Sequence, residues 1–293
     1  MKRSALLLLL SIICCYSQAK EIRKERSIYR NVVITEEADV RCMRFETRRK
    51  RVTNQACIDL LDPNRLVFEY VQGILAGYAV KPKPKRILII GLGGGVLSNI
   101  MHDISPDAEI INVDIDPVVV KLAREYFSYN ENEQVKTEIK DGRVYVKRAL
   151  LKKQKFDWII LDAFNGDYIP EHLMTKEFLS EVKALLSPNG IMSANTFSSS
   201  RLYDHESVTY QSVFEQLQIL QSPSKGNRII FACNCEDFSL TKSIDEAIQK
   251  KMNRYKLNIG RLLKRLDNEI DWDTQVKVLT DQFSPANLLK QAD

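Results

Sequence analysis

Between residues 86 and 196, short apolar runs alternate with stretches whose apolar side chains recur at helical spacing. Residues 86–90 are almost continuously apolar and end in glycines. Residues 96–104 repeat at a helical period, 109–116 form a second strand-like run and 117–127 a second helix. Strands that are apolar on both faces belong to parallel sheets covered by helices. Runs at 134–140, 156–161 and 190–196 predict three further strands, with a helix over 176–186 before the last. The fold class expected is therefore α/β, a Rossmann-like doubly wound sheet. Further on, 228–233 reads as a strand able to pair with 218–221, and amphipathic helices are expected near 243–255 and 259–266.

The pattern before residue 80 is different. Strand-like pieces at 29–35 and 39–45 precede a stretch of helical spacing over 62–78, which predicts a small β-rich cap. Lys81-Pro82-Lys83-Pro84-Lys85 cannot be helix, because proline fixes its own φ and restricts the residue before it, so it forms the joint into the next domain. The expected organisation is a leader over 1–19, the cap over 20–80, a nucleoside-binding catalytic domain over 81–240 and a helical extension over 241–293. The leader reads as a secretory signal: Lys2 and Arg3, an apolar run from Ala5 to Cys15 interrupted by Ser11, then Ser17 and Ala19 at the sites a signal peptidase inspects. That run is short of the roughly 20 residues needed to cross a bilayer, and nothing later is apolar enough, so no membrane span is expected after cleavage. A periplasmic or secreted protein is predicted, and a cytoplasmic one if the leader is not a signal.

Composition adds little to this. With 293 residues, 44% hydrophobic and 28% charged, the chain can build a sizeable core, and a formal net charge of +5 names no partner. The run Arg48-Arg49-Lys50-Arg51 carries no interleaved aromatics or recognition motif, so it reads as a solvated hairpin turn and nucleic acid is not an expected partner. Removal of Cys14 and Cys15 with the leader leaves Cys42, Cys57, Cys233 and Cys235, as disulfides or as buried thiols. If Cys233 and Cys235 sit at i and i+2 of a strand, they are about 6.5 Å apart along it, which disfavours a bond between them.

The chemistry starts at Gly91-Leu92-Gly93-Gly94-Gly95, a glycine turn between a buried strand and a helix, where a ligand can approach the backbone closely. Asp114, near the end of the second strand, is placed to accept both ribose hydroxyls of a nucleoside. Asp116 is expected to cap the next helix ahead of Pro117. Val96 stands where a dinucleotide fingerprint would have its third glycine, which argues against NAD.

The turn resembles the first motif of S-adenosylmethionine-dependent transferases, which implies that Gly91, Gly93, Gly95 and Asp114 hold a nucleoside sulfonium. Asp141 and Gly142, followed by Arg143, match the place where that superfamily reads the adenine amino group, a tight acidic turn being the structural alternative. The stretch from Trp158 through Asp162, Asn165 and Asp167 to Leu173, with Leu186-Ser187-Pro188-Asn189-Gly190 and Leu279 to Pro285, resembles the spermidine synthases, the polyamine aminopropyltransferases. The resemblance covers about residues 29–288. It implies a class I methyltransferase-like fold and decarboxylated S-adenosylmethionine (or S-adenosylmethionine) as co-substrate. It also implies a polyamine such as putrescine as acceptor, and a possible homodimer. Asp162 would be the catalytic carboxylate, and Asp167, Glu171 and Tyr70 would bind the amine. A sulfonium is already activated, so no metal is required, and His102, His172 and His205 stand at no ligand spacing.

Three positions depart from that family's pattern. Gly94 replaces an aspartate of the glycine turn, Asn165 replaces a second aspartate three residues after the catalytic one, and Glu69-Tyr70-Val71 stands for a Tyr-His-Glu-like triplet. Two alternatives follow: an S-adenosylmethionine-dependent methyltransferase on the same fold, and a non-catalytic exported module that binds a polyamine or nucleoside. Both donors are made in the cytosol, so an exported enzyme would need a supply of cofactor outside it.

Overall fold

The computed structural model describes residues 19–46, 52–166, 168–224, 226–236, 238–240, 244–267 and 269–283. The first four strands, β1 (Lys20–Arg26), β2 (Asn31–Glu37), β3 (Val40–Glu46) and β4 (Val52–Asp59), form an antiparallel sheet in chain order. Two of them had no apolar signature. β1 is an exposed, charged edge, and β4 carries three consecutive polar residues, Thr53, Asn54 and Gln55, that line the cavity described below. The buried side of this sheet, Val32, Ile34, Met43, Phe45 and Ala56, packs on Val119, Leu122 and Phe127. The run at 48–51 lies outside the described residues.

The helix expected over 62–78 is shorter. Asp59 caps a turn by accepting from the amides of Leu61 and Asp62 and pairing with Arg65, so helix begins only at α1 (Glu69–Leu75) and tightens into a 3-10 turn at Ala76–Ala79. α1 lies close on the main sheet: a Cβ at Gly73 would be 2.7 Å from Ile229, and one at Gly77 would be 2.3 Å from the Trp158 ring. Side chains at either position would push α1 away from the sheet.

The second sheet is built from β5 (Arg86–Ile90), α2 (Val96–Ile104), β6 (Glu109–Asp114), α3 (Pro117–Tyr126), β7 (Val135–Ile139), α4 (Gly142–Leu151), β8 (Phe156–Leu161), α5 (Lys176–Leu185), β9 (Leu186–Phe197), α6 (Tyr203–Phe214), β10 (Gln218–Gln221) and β11 (Asn227–Cys233). After these come α7 (Glu246–Asn253), α8 (Ile259–Leu263) and the short β12 (Leu266–Asp267). Strand order is β12-β10-β11-β9-β8-β5-β6-β7. The five strands from β7 to β9 are parallel, and β11, β10 and β12 add antiparallel pairs. The expected α/β class and the pairing of 218–221 with the last long strand are both present. α6 gave no periodic signal because Glu206, Ser207 and Thr209 are buried polar residues, the first two partnered by Arg228 of β11, which is also fully buried, and Thr209 by the His205 carbonyl and the Leu279 amide.

Cys42 and Cys57 stand opposite each other on β3 and β4 and are joined. Cys233 and Cys235 are also joined, contrary to the expectation from strand spacing. β11 ends at Cys233 and the chain bends at Asn234, which draws the two Cα atoms to 5.4 Å.

Candidate active site

The direction of β5 to β9 brings their carboxyl ends to one edge, and the order reverses between β5 and β8, which is where open α/β sheets leave a crevice. A cavity of about 570 Å³ lies there, of a size that holds a nucleoside-sized ligand. Asp114, Asp141 and Asp162 all line it, and the antiparallel sheet roofs it with Arg30, Thr53 and Gln55.

The glycine turn follows β5. Gly91 has φ of +101°, and a Cβ there would lie 2.2 Å from the backbone oxygen of Asp162, so only glycine lets the two loops pass. Gly93 lines the cavity. Gly95, at the start of α2, is not among the lining residues, and a Cβ there would fall 2.4 Å from the Tyr129 ring, so packing alone requires glycine at this position. At Gly94 a Cβ would meet Ala56 at 2.8 Å and Phe127 at 2.9 Å. The turn thus has no acid there and no room for one.

Asp114 ends β6 and accepts from two backbone amides, Leu92 in the glycine turn and Asp116, each at 2.9 Å. It fixes the turn while facing the cavity, and burial outweighs both hydrogen bonds to hold its pKa above the usual carboxylate range. Asp116 caps α3 through the Val118 amide, as expected. Asp141 caps α4 through Val144 and pairs with His172 at 2.8 Å, which brings this histidine into the cavity wall. Gly142 lines the wall too, and Arg143 turns away into ion pairs with Glu181 and Asp281. Asp281 belongs to the C-terminal segment, whose Leu279 carbonyl accepts from the Lys176 amide.

Asp162 follows β8, its amide continuing the ladder to Ile90. Asn195 donates Nδ2 to Asp162 Oδ1 at 2.9 Å, and the Tyr70 hydroxyl of α1 donates to the same carboxylate. Burial dominates these two stabilising bonds and pushes the Asp162 carboxyl up to about 7. Burial and the adjacent Asp162 charge push the Tyr70 hydroxyl well above its ordinary value, so it stays a donor. The wall around Asp162 is aromatic: Phe68 stacks on Tyr70 with centroids 5.7 Å apart, and Phe164 meets Phe197 at 5.1 Å.

The loop after Asp162 is tied down at its middle. Thr53 donates to the Gly166 carbonyl from the roof, and Asn165 accepts from the Tyr168 amide. The Tyr168 hydroxyl is hydrogen-bonded to Ser200 and to Glu206, whose partner is Arg228. Of the other expected amine-binding residues, Tyr70 is in place, Glu171 is exposed at the start of a short 3-10 turn outside the cavity lining, and Asp167 lies outside the described residues. Sequence reasoning missed Asn195, Asn227, Arg30 and Gln55. Gln55 is the extra residue of a β-bulge between Met43↔Ala56 and Arg44↔Asn54, a device that re-aims a side chain and leaves no signal in a polar strand. A buried Asn within the apolar run 191–197 was a usable clue.

The arrangement can hold a nucleoside at Asp114 and Asp141 and present a polarised carboxylate to an amine at the other end. Residues 70–221 match the spermine/spermidine synthase domain. The chain is 42% identical over 301 residues to a polyamine aminopropyltransferase of Vibrio vulnificus, covering 99% of this chain and 100% of that protein. Among solved structures, a probable spermidine synthase from Corynebacterium glutamicum superposes with a TM-score of 0.64 at 21% identity, covering 87% and 98% of the two chains. A spermidine synthase in complex with the transition state analogue AdoDATO gives 0.63 at 21%, covering 82% and 80%.

Proposed function

The chain belongs to the spermine/spermidine synthase family, and on that premise we propose that it moves an aminopropyl group from decarboxylated S-adenosylmethionine to a polyamine such as putrescine. The observation that carries the reading is a single cavity lined by both Asp114 and Asp162, roomy enough for adenosine and an amine together. Asp114 would accept from the ribose hydroxyls and Asp141, steadied by His172, from the adenine amino group. In the transfer, the amine nitrogen bonds to the methylene beside the sulfonium as the carbon–sulfur bond breaks. The electron pair of that bond stays on the sulfur of methylthioadenosine.

An alkylamine is protonated near pH 7 and cannot attack. Asp162 at the end of β8 takes that proton, and a base whose pKa lies near the working pH is the effective kind. Tyr70 and Asn195 keep the carboxylate aimed without competing for the proton, since both donate to it. The aromatic rings of Phe68, Phe164 and Phe197 would face the methylenes and charge of the amine.

Methyl transfer from S-adenosylmethionine is a second reading, favoured by the neutral, sterically closed position at Gly94 and by the Arg30 cation in the cavity wall, which a donor carboxylate could face. Calorimetric titration of the chain from Lys20 onward with both donors tests the choice. Tighter binding of the decarboxylated form supports aminopropyl transfer, and preference for S-adenosylmethionine refutes it. We also propose export after cleavage at residue 19, supported by the two joined cysteine pairs, and a homodimer; cell fractionation and light scattering test these.

A further inference from the structure

Asn195 holds Asp162 with one end of its amide, and the other end is held in turn. An amide offers an oxygen or an NH2 with nearly the same shape, and only the NH2 suits a carboxylate. What decides the orientation is the partner at the far end. That partner is Asn227, whose Nδ2 donates to Asn195 Oδ1 at 3.0 Å. Strand register builds the chain of contacts: Ile229 stands opposite Asn195 and Asn227 opposite Phe197, so both asparagines project from the same face of β9 and β11, toward the cavity. Thr196 and Arg228 project from the other face, where Arg228 bonds Thr196 and Ser207 and pairs with Glu206. The hairpin fixes the main chain of Asn227, whose backbone N–H donates to Ser222 Oγ at 3.2 Å and whose backbone carbonyl accepts from the Ser222 N–H at 2.9 Å.

We propose that Asn227 is a positioning residue for the transfer reaction: it locks the Asn195 amide in the orientation that donates to Asp162 and so sets how readily Asp162 takes the amine proton. This rests on Asp162 being the base and deepens that reading. The proton passes from the ammonium to Asp162, while both amides keep theirs. Among the described residues, the titratable group facing Asp162 is Tyr70 of α1; β9 and β11 present uncharged amides, and the glycine turn presents backbone. If Asn227 is lost, Asn195 is free to turn its oxygen toward Asp162, which disfavours the ionised carboxylate.

The test is the titration of Asp162 followed by carboxyl ¹³C NMR in substrate-free protein, its signal identified by its loss in Asp162→Asn. Asn227→Leu, similar in size and unable to donate, should raise the midpoint by about half to one pH unit, and Asn195→Ala by about as much. The double variant should move no further than Asn195→Ala alone. An unmoved midpoint in Asn227→Leu, or a shift that adds in full to that of Asn195→Ala, overturns the proposal. So does a raised KM for the amine with the midpoint unmoved, which would make Asn227 a substrate contact. Asp162→Asn with undiminished turnover would instead defeat the base reading and leave the titration result standing. Donor binding at the far end of the cavity reports that each variant is folded, and Asn227→Ala serves if Asn227→Leu is not.

Discussion

Replacing Asp162 by Asn removes a charge that the folded protein accommodates poorly, and the size of the effect follows from the site. Burial lifts this carboxyl from 3.8 to about 7 in spite of donors from Asn195 and Tyr70. At 1.36 kcal/mol per unit, ionising it in the folded state costs on the order of 4 kcal/mol more than in the unfolded chain. The folded state holds the proton more tightly, so the wild-type contribution is full below the unfolded value and is lost as pH rises through about 7. Asparagine keeps the shape and does not titrate. Urea unfolding of both proteins without substrates, from pH 4 to pH 8, should show a gap that is smallest at pH 4 and reaches about 4 kcal/mol in favour of Asp162→Asn at pH 8. Glu206, also raised to about 7 by burial, titrates in both proteins and cancels in the difference. Turnover should fall about 10²- to 10⁴-fold at the same time. A gap that does not change with pH, or a wild type more stable at pH 8, refutes the argument that this carboxylate is held under desolvation strain for catalysis.

Gly77→Ala places a methyl group 2.3 Å from the Trp158 ring, and should cost about 1–3 kcal/mol in calorimetry and lower turnover by shifting α1 and its Tyr70. Asp114→Asn exchanges an acceptor of two backbone amides for a group that can satisfy only one, and should weaken donor binding at least about tenfold by titration calorimetry while leaving the amine KM little changed. Reduction of the Cys42–Cys57 bond, which closes a loop of sequence separation 15, should lower stability by about 3 kcal/mol, read as the difference in unfolding between Cys42→Ser/Cys57→Ser and wild type.

The parallel sheet was legible because its strands are buried on both faces and leave unbroken apolar runs such as Ile87 to Ile90. Asp114 and Asp162 were legible for the same reason, each being the first acid after such a run. The roof was not. β1 has a single inward apolar residue, Ile22, and β4 spends its polar residues on the cavity, so neither shows a two-residue period. α6 hid because its inner side solvates a buried Arg228 instead of packing hydrocarbon. At Gly95 the turn needs glycine for the ring of Tyr129, a packing demand that leaves the same mark in the sequence as a ligand contact. Asn195 and Asn227 become meaningful only through strand register, which brings together residues 32 positions apart.

The most direct measurement is methylthioadenosine release by the purified chain from Lys20 onward, given decarboxylated S-adenosylmethionine and a panel of diamines and polyamines, with Asp162→Asn alongside. Release should require an amine, yield an equal amount of aminopropylated amine, rise with pH through about 7 and be nearly abolished in the variant. No release with any amine, or release that Asp162→Asn leaves intact, would contradict aminopropyl transfer with Asp162 as its base.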